Sequence, residues 1–234
     1  MLKTLEKSHG ISKIQLLREI IELEILHDLM KQPWSNKIAF YGGTALRLAY
    51  GSPRYSEDID LICQNKIAFS HFRTWVEHLP QKISSPTSID DLHEKRNTFF
   101  ALLKVQHTNL KHPLPIKIEL YRNPKGVKIE MELRLLKSHL SSLSPLISVP
   151  TPEALLRMKI DALHDRTKSR DLYDLWYLSQ FLKTPFSLPK KLPLFTPHAF
   201  VNELKVYLPR EQYPIITSLW QSYVKASHHH QKNS

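Results

Sequence analysis

The chain has 234 residues, of which 41% are hydrophobic, so it can form one large folded domain or two small ones, and disorder over its whole length is not expected. Its formal net charge of +11 favours a polyanionic partner such as nucleic acid or a nucleotide, although a basic surface without such a role is also compatible with it. The sequence has no long apolar run and no signal-peptide pattern, and its single cysteine excludes an internal disulfide, so we expect a cytoplasmic protein with no membrane partner.

The N-terminal part predicts a helix, a strand and a second helix. Apolar side chains recur at helical spacing through residues 11–31, which predicts an amphipathic helix that ends before Pro33. A short β-prone run follows at residues 38–41 and stops at a pair of glycines. Residues 44–50 then predict a helix that begins with the capping hydroxyl of Thr44.

The next predicted strand covers residues 56–63 and has one acidic face. Ile59 and Leu61 alternate with Asp58 and Asp60, and side chains two residues apart in a strand project from the same face. The two aspartates therefore lie side by side on the polar face of this strand.

The rest of the chain predicts a helix, a loop and further strands, followed by helices alone. A loop rich in Ser, Pro and Asp is expected at residues 81–97. The predicted strands are 98–106, 115–121 and a third candidate at 127–133. The predicted helices are 69–79, 153–167, 169–182 and two more between 197 and 225.

These elements indicate an α+β fold followed by a helical region. We predict an α+β core over residues 1–137, a Ser/Pro-rich linker over 138–152, a helical domain over 153–226 and a flexible tail over 227–234. Three consecutive histidines in the tail are compatible with metal binding, but a disordered tail is the simpler interpretation.

The pair Gly42-Gly43 favours a phosphate-binding turn. Adjacent glycines allow backbone N–H groups to approach a phosphate without interference from Cβ atoms, and the helix that starts at Thr44 offers the positive end of its dipole. The alternative is that a turn from strand to helix needs glycine for backbone reasons alone.

Asp58 and Asp60 predict a divalent metal site. Two carboxylates on one strand face repel each other unless a cation lies between them, and Mg²⁺ is commonly bound by one or two carboxylates together with substrate phosphates. The alternative is a solvated acidic face, but the glycine turn that precedes the pair favours the metal site.

Glu119 is the first candidate for a third acid. Lys117, Glu119 and Tyr121 share one face of their predicted strand. If that strand neighbours the one with the paired aspartates, Glu119 can complete the metal site or act as general base. Glu130 and Glu132 remain rival candidates.

A second charged cluster lies in the helical region. Lys159 and Arg166 share a helical face, and Asp171 and Asp174 share a face of the following helix. The two cations could bind triphosphate oxygens, with Asp171 orienting the lysine or the nucleotide. An ion-pair lattice that ties the two helices together explains the same residues.

Four motifs in order resemble the AbiEii-like nucleotidyltransferase toxins, which include the MenT-type enzymes, of type IV toxin-antitoxin and phage-defence systems. The resemblance covers about residues 38–178. The motifs are Tyr41-Gly42-Gly43-Thr44-Ala45-Leu46-Arg47-Leu48, Arg54-Tyr55-Ser56-Glu57-Asp58-Ile59-Asp60-Leu61, Lys159-x-x-Ala162-x-x-x-Arg166 and Arg170-Asp171-x-x-Asp174-Leu175.

The resemblance implies a polymerase-β-like nucleotidyltransferase fold, with a mixed sheet flanked by helices and a helical C-terminal region. Taken with the residues above, it predicts metal binding by Asp58, Asp60 and Glu119. The predicted catalytic residues are Asp58, Asp60, Glu119, Lys159 and Asp171. The predicted nucleotide-binding residues are Gly42, Gly43, Thr44, Arg47, Arg54, Ser56, Lys159, Arg166 and Asp174.

The implied activity is transfer of a nucleotide from a nucleoside triphosphate, with Mg²⁺ or Mn²⁺ as cofactor, to an RNA acceptor such as the 3′ end of transfer RNA. The resemblance also implies a cognate antitoxin, which need not bind the toxin directly. The net charge favours RNA as the acceptor. Two other hypotheses stay open: the same chemistry on a small molecule or a protein hydroxyl, and RNA binding without catalysis.

Overall fold

The chain divides into two compact units. The sheet unit comprises Lys13–Pro150, and the helical unit comprises Thr151–Ser234 together with Met1–Ser12. The computed structural model describes residue 6 and residues 10–124, 126–189 and 193–231, without the side chains of 228–231.

The sheet unit places a five-stranded mixed sheet among helices. The strand order is β1-β2-β5-β4-β3, with β2 and β5 parallel and the other pairs antiparallel, while β6 and β7 form a separate antiparallel pair. The helices are α1 (Lys13–Leu29), α2 (Gly42–Tyr50) and α3 (Phe69–His78), and short 3₁₀ turns cover Ser35–Lys37 and Leu79–Gln81. The strands are β1 (Ile38–Tyr41), β2 (Asp58–Cys63), β3 (Thr87–Glu94), β4 (Thr98–Val105), β5 (Leu114–Tyr121), β6 (Met131–Leu135) and β7 (Leu146–Pro150).

The central strands β2 and β5 alternate apolar and polar side chains, as their sequences predict. Ile59 and Leu61 in β2, and Ile118 and Leu120 in β5, are completely buried. Because alternate side chains point to opposite faces of a sheet, this burial leaves the charged residues of both strands together on the other face.

Helix α1 forms where the sequence predicts a helix, but it is buried on more than one face and not along a single apolar stripe. Its buried polar residues include Arg18, Glu19 and Glu22, whereas the apolar Ile14 is 45% exposed. The polar side of α1 therefore faces the interior of the sheet unit, where its charges meet partners from other elements.

Strand β3 lies within residues 81–97, where the sequence predicts a loop. It pairs antiparallel with β4, and its register shifts between Ile89 and Asp91, which marks a bulge or irregularity. Edge strands with bulges and exposed charges lack the regular apolar alternation that identifies a strand in sequence.

The predicted strand at 127–133 and the predicted linker at 138–152 also differ from the structure. The strand is β6, shifted to Met131–Leu135, and it pairs with β7, which lies inside the expected linker. Ile147 and Val149 of β7 are buried. Their apolar alternation is short and lies among Ser and Pro residues, so the segment resembles a linker in sequence.

The helical unit packs its helices around one apolar core. Thr151 and Thr196 cap two helices by accepting hydrogen bonds from the backbone N–H groups of Ala154 and Ala199. The helices are α4 (Pro152–Asp165), α5 (Ser169–Phe181), α6 (Pro197–Tyr207) and α7 (Tyr213–Gln231), with a 3₁₀ turn at Arg210–Gln212. The core includes Leu163, Leu172, Tyr173, Phe200, Leu204, Leu208, Ile216, Leu219 and Tyr223.

The end of the chain is helical as far as Gln231, which includes part of the tail predicted at 227–234. Residues 232–234 and the side chains of the three consecutive histidines lie outside the described residues. None of the helices in the described part of the chain combines the length and the apolar character needed to cross a membrane.

Candidate active site

The glycine turn lies directly against the acidic strand. Strands β1 and β2 are antiparallel, and their register places Tyr41 opposite Asp60. Gly42, which follows Tyr41, has a φ of +83°, and a Cβ atom added there would overlap the Asp60 carboxylate. Gly42 is therefore required both by its backbone conformation and by the closeness of Asp60.

Gly43 is required because the side chains of Arg54 and Ser56 lie close to its Cα, and its backbone conformation does not demand glycine. A Cβ atom at this position would overlap the guanidinium of Arg54 and lie 2.7 Å from the Ser56 hydroxyl oxygen. Arg54 is 1% exposed, and its Nη1 donates to the backbone oxygen of Tyr55 at 2.7 Å. The structure thus brings Gly43, Arg54 and Ser56 together, as the predicted nucleotide-binding set requires, and their role toward a nucleotide stays a prediction.

Thr44 does not cap its helix, contrary to the sequence-based expectation. Helix α2 begins at Gly42, and its N-cap residue Tyr41 makes no side-chain capping bond. The buried Thr44 hydroxyl instead donates to the backbone oxygen of Asp58 at 2.6 Å. This bond ties the first turn of α2 to the start of the acidic strand.

Three carboxylates, those of Asp58, Asp60 and Glu119, form an acidic row across β2 and β5, and Lys117 lies beside them. The parallel register places Asp58 beside Lys117 and Asp60 beside Glu119. The strand of Glu119 is therefore the direct neighbour of the strand that carries the paired aspartates, which is the arrangement required if Glu119 is the third acid.

The contact of Lys117 with the acidic row is not predicted by the sequence patterns. Lys117 Nζ lies 3.2 Å from Asp58 Oδ2 and 3.1 Å from Glu119 Oε2. Burial alone would lower the pKa of Lys117, but the charges of Asp58 and Glu119 outweigh it and raise that pKa. The sequence shows that Lys117 and Glu119 share one strand face, whereas the contact with Asp58 depends on the pairing of β2 with β5.

The acidic row fits a divalent cation that is shared with a substrate. Carboxylate oxygens are the ligands that Mg²⁺ prefers, and it commonly takes one or two of them together with phosphate oxygens. Within the described residues, no three side chains of His, Cys, Asp or Glu are gathered closely enough to hold a metal by themselves. Asp58 and Asp60 would therefore hold the ion together with ligands from the substrate.

The rival acids of the β6 region lie elsewhere. Glu132 accepts a hydrogen bond from the Tyr50 hydroxyl at 2.7 Å and pairs with Arg134 at 3.0 Å. Glu130 precedes β6 and lies outside the five-stranded sheet. The register between β2 and β5 therefore favours Glu119 over both as the third acid.

Arg47 stabilises the loop between α2 and β2 through hydrogen bonds and an ion pair. Its Nη1 donates to the backbone oxygens of Ser52 and Pro53 at 3.2 and 3.0 Å, its Nε pairs with Glu19, and its guanidinium lies 3.4 Å from the centre of the Tyr55 ring. Burial is the main cause that raises the pKa of Tyr55 to about 12. The geometry thus favours a positioning role for Arg47, which the sequence predicts to bind nucleotide.

Helix α1 supplies a second layer of charge behind the site. Arg18 pairs with Glu57 at 2.8 Å, one residue before the acidic strand, and Glu19 pairs with Arg47 and also accepts a hydrogen bond from the Ser138 hydroxyl. One helix therefore holds both the segment before β2 and the last turn of α2.

Glu22 is the buried acid of this second layer. It is 2% exposed, and no hydrogen-bond partner among the described residues reaches its Oε1. Burial raises the pKa of Glu22 well above its ordinary value, the neighbouring charges of Glu19 and Asp58 raise it further, and Arg18 and Arg47 oppose the shift. The surroundings of Glu22 in the folded protein therefore favour its neutral form.

The charged cluster of the helical unit is an ion-pair lattice between α4 and α5. Lys159 Nζ lies 2.9 Å from Asp171 Oδ1 and 2.7 Å from Asp174 Oδ2, and both aspartates are completely buried. Arg166 donates to Asp171 from Nε at 2.8 Å and from Nη2 at 3.0 Å. The structure thus contains the lattice that was one of the two interpretations of these residues.

This lattice controls the ionisation of Asp171. Burial alone would raise the pKa of its carboxyl, but Lys159 and Arg166 outweigh burial and hold that pKa well below its usual range. The Arg166 side chain is 49% exposed, so its guanidinium also faces solvent. The predicted roles of Lys159, Arg166, Asp171 and Asp174 toward a nucleotide stay predictions.

Comparison with known proteins identifies both the fold and the family. JHP933 from Helicobacter pylori superposes with a TM-score of 0.58 at 22% identity, covering 95% of this chain and 94% of that chain. A structure described as "putative nucleotidyltransferase from H. pylori" has a TM-score of 0.58 at 20% identity, covering 95% and 97%. These likenesses concern the fold, and they confirm the predicted architecture of a mixed sheet with flanking helices and a helical C-terminal region.

A comparison with curated proteins finds no match. The model of the family described as "Nucleotidyl transferase AbiEii toxin, Type IV TA system" matches residues 24–215, which is most of the chain. This range contains the glycine turn, the acidic row and the α4–α5 lattice described above. The chain therefore belongs to the AbiEii family of nucleotidyltransferase toxins of type IV toxin-antitoxin systems.

Proposed function

We propose that this nucleotidyltransferase transfers a nucleotide from a nucleoside triphosphate to a hydroxyl group of RNA, with transfer RNA 3′ ends as the acceptor, and that Mg²⁺ is its cofactor. The observation that carries the proposal is the contact of the glycine turn with the acidic strand. Gly42 lies against the Asp60 carboxylate, and Thr44 binds the backbone at Asp58. A phosphate held at this turn would lie beside carboxylates suited to bind a cation.

Asp58 and Asp60 would hold the divalent ion, which supplies neutralisation of charge on the reacting phosphates. Glu119, beside Asp60 in the sheet, would be a third ligand or would accept the proton of the acceptor hydroxyl. The hydroxyl oxygen forms a new bond to the α-phosphorus, and the bond from that phosphorus to the oxygen bridging to the β-phosphate breaks. Pyrophosphate leaves with the bonding electrons.

The charge of the chain supports RNA as the acceptor. Lys and Arg total 33 against 22 acidic residues, and a basic protein attracts a polyanion through its phosphates. A small-molecule acceptor would not need this excess. Family membership implies a nucleotide substrate and a cognate antitoxin, and we propose that the antitoxin opposes this transfer without having to bind the toxin.

The test is an incorporation assay with each labelled nucleoside triphosphate, Mg²⁺ and total transfer RNA. We expect label in transfer RNA with the unchanged protein and a loss of about a hundred-fold or more with Asp58→Asn or Asp60→Asn, because each change removes a carboxylate from the metal site. Asp91→Asn is the matched control, since Asp91 lies on the edge strand β3 and pairs with His93.

Incorporation by Asp58→Asn at the rate of the unchanged protein would contradict the proposed mechanism. The acceptor is tested separately by labelling a whole-cell extract. Label in protein or in small metabolites, with none in RNA, would favour the second candidate, transfer to a protein or small-molecule hydroxyl on the same site. Binding of RNA without catalysis is not retained, because the chain belongs to a family of nucleotidyltransferases.

A further inference from the structure

Lys117 lies where the acidic row needs a cation. Its ammonium group bridges Asp58 at 3.2 Å and Glu119 at 3.1 Å. Without such a cation, carboxylates held on neighbouring strands would repel one another. Lys117 therefore offsets part of the negative charge of the row, at Asp58 and Glu119.

In the proposed metal site, a divalent ion would bind the Asp58 carboxylate that Lys117 already contacts. A lysine ammonium is a compact point charge, and two cations drawing on one carboxylate repel each other at short distance. The ammonium would have to leave Asp58 before the metal could bind there in full.

The geometry allows Lys117 to leave. The side chain is 34% exposed, and its partners Asp58 and Glu119 are 27% and 31% exposed. Ion pairs near solvent contribute little to stability, and a lysine side chain has a long flexible stem. Displacement is therefore favourable if the ammonium gains a new anionic partner.

We propose that Lys117 is a built-in counter-cation that occupies the acidic row until metal and nucleoside triphosphate arrive together, and then moves to the triphosphate. This inference rests on the proposed function, because it takes the acidic row to be the metal site. It has one direct consequence. Metal binding is weak without nucleotide, since metal alone displaces the ammonium and offers it no anion in return.

The test measures Mn²⁺ binding by electron paramagnetic resonance, without nucleotide and with the α,β-methylene analogues of the four ribonucleoside triphosphates. Without nucleotide, we expect Lys117→Met to bind Mn²⁺ about ten-fold more tightly than the unchanged protein, because the competing cation is gone. An analogue that binds should strengthen Mn²⁺ binding strongly in the unchanged protein and much less in Lys117→Met.

Two further variants separate competition from other effects. Lys104→Met is the matched control, because Lys104 on the neighbouring strand β4 pairs with Asp90 at 2.6 Å, outside the acidic row. It should bind Mn²⁺ like the unchanged protein. Lys117→Arg keeps the cation and should keep Mn²⁺ binding weak, and it serves as well if Lys117→Met does not fold. Tighter Mn²⁺ binding by Lys117→Arg would overturn the proposal.

Mn²⁺ binding by the Asp58→Asn variant distinguishes a failure of this inference from a failure of the proposed function. If Asp58→Asn loses Mn²⁺ binding while Lys117→Met binds Mn²⁺ no more tightly than the unchanged protein, the counter-cation role is wrong and the metal site stands. If Asp58→Asn binds Mn²⁺ with unchanged affinity, the acidic row is not the metal site and both proposals fail.

Discussion

At the residue scale, the candidate site depends on two glycines, because a Cβ atom at either position would overlap a neighbouring side chain. Gly42 has no Cβ where the Asp60 carboxylate lies, and Gly43 has none where the Arg54 guanidinium lies. The turn therefore brings backbone and side chains closer together than any other residue type would allow. Close packing of this kind is useful where a phosphate and a metal must both approach the same atoms.

Gly42→Ala should damage activity more than its backbone strain alone would explain. The change forces an alanine into the left-handed region, at about 1–2 kcal/mol, and also pushes its Cβ against Asp60. We expect nucleotide incorporation to fall at least about ten-fold, since a displacement near 1 Å at a catalytic group can cost more than that. Incorporation and thermal melting are measured on the same preparation.

Gly126→Ala is the control for this change. Gly126 also has a positive φ, of +60°, but nothing lies within 4 Å of the position that its Cβ would take. It should lose a comparable amount of backbone stability and keep its activity. Equal losses of activity in the two variants would show that the contact between Gly42 and Asp60 has no importance for catalysis.

At the scale of elements, helix α1 positions the site without taking part in the glycine turn or the acidic strand. Arg18 holds Glu57 and Glu19 holds Arg47, so the segments on both sides of the loop from α2 to β2 are tied to one helix. In the helical unit, the pair α4–α5 is likewise joined by the buried charges of Lys159 and Asp171. In both cases, charges inside the fold fix the geometry of neighbouring elements.

Glu22→Gln should make the stability of the protein less dependent on pH. The folded state raises the pKa of Glu22 above its ordinary value of 4.5, so the folded protein holds a proton that the unfolded chain releases. The contribution of Glu22 to stability is therefore fully present below pH 4.5 and is lost as the pH rises through the raised pKa of the folded state. Glutamine stays neutral and removes this loss.

Urea unfolding at pH 5 and pH 8 measures the effect. The stability of Glu22→Gln relative to the unchanged protein should rise between these two values. Glu24→Gln, a partly exposed position on the same helix that binds Ser84, controls for loss of a carboxylate. If the difference between Glu22→Gln and the unchanged protein does not vary with pH, Glu22 does not hold its proton in the fold.

At the scale of the whole molecule, local sequence patterns indicated the glycine turn and the paired aspartates, and long-range strand pairing determined which residues lie beside them. The glycine turn and the alternation around Asp58 and Asp60 are patterns within a few residues, so they were readable in sequence. The bridge from Lys117 to Asp58 depends on the parallel pairing of β2 with β5, which no local pattern reports. Strand β3 was missed because its exposed, irregular alternation resembles a loop.

The charges of helix α1 were missed for a related reason. Periodicity detects the apolar stripe of a helix, and polar residues between the stripes are taken to face solvent. Arg18 and Glu22 are buried because other elements of the sheet unit surround them, and only the tertiary fold determines that environment. Both features lie beside the candidate site, where local rules are most often overridden.

The central claim is that the aspartates after the glycine turn share a divalent ion with a triphosphate. Its most direct test is a crystal structure with Mn²⁺ and a non-hydrolysable nucleoside triphosphate, in which anomalous scattering locates the metal. We predict a Mn²⁺ peak bound by Asp58 and Asp60, with triphosphate oxygens against the backbone of Gly42 and Gly43. A peak remote from both aspartates, or a triphosphate bound away from that turn, would contradict it.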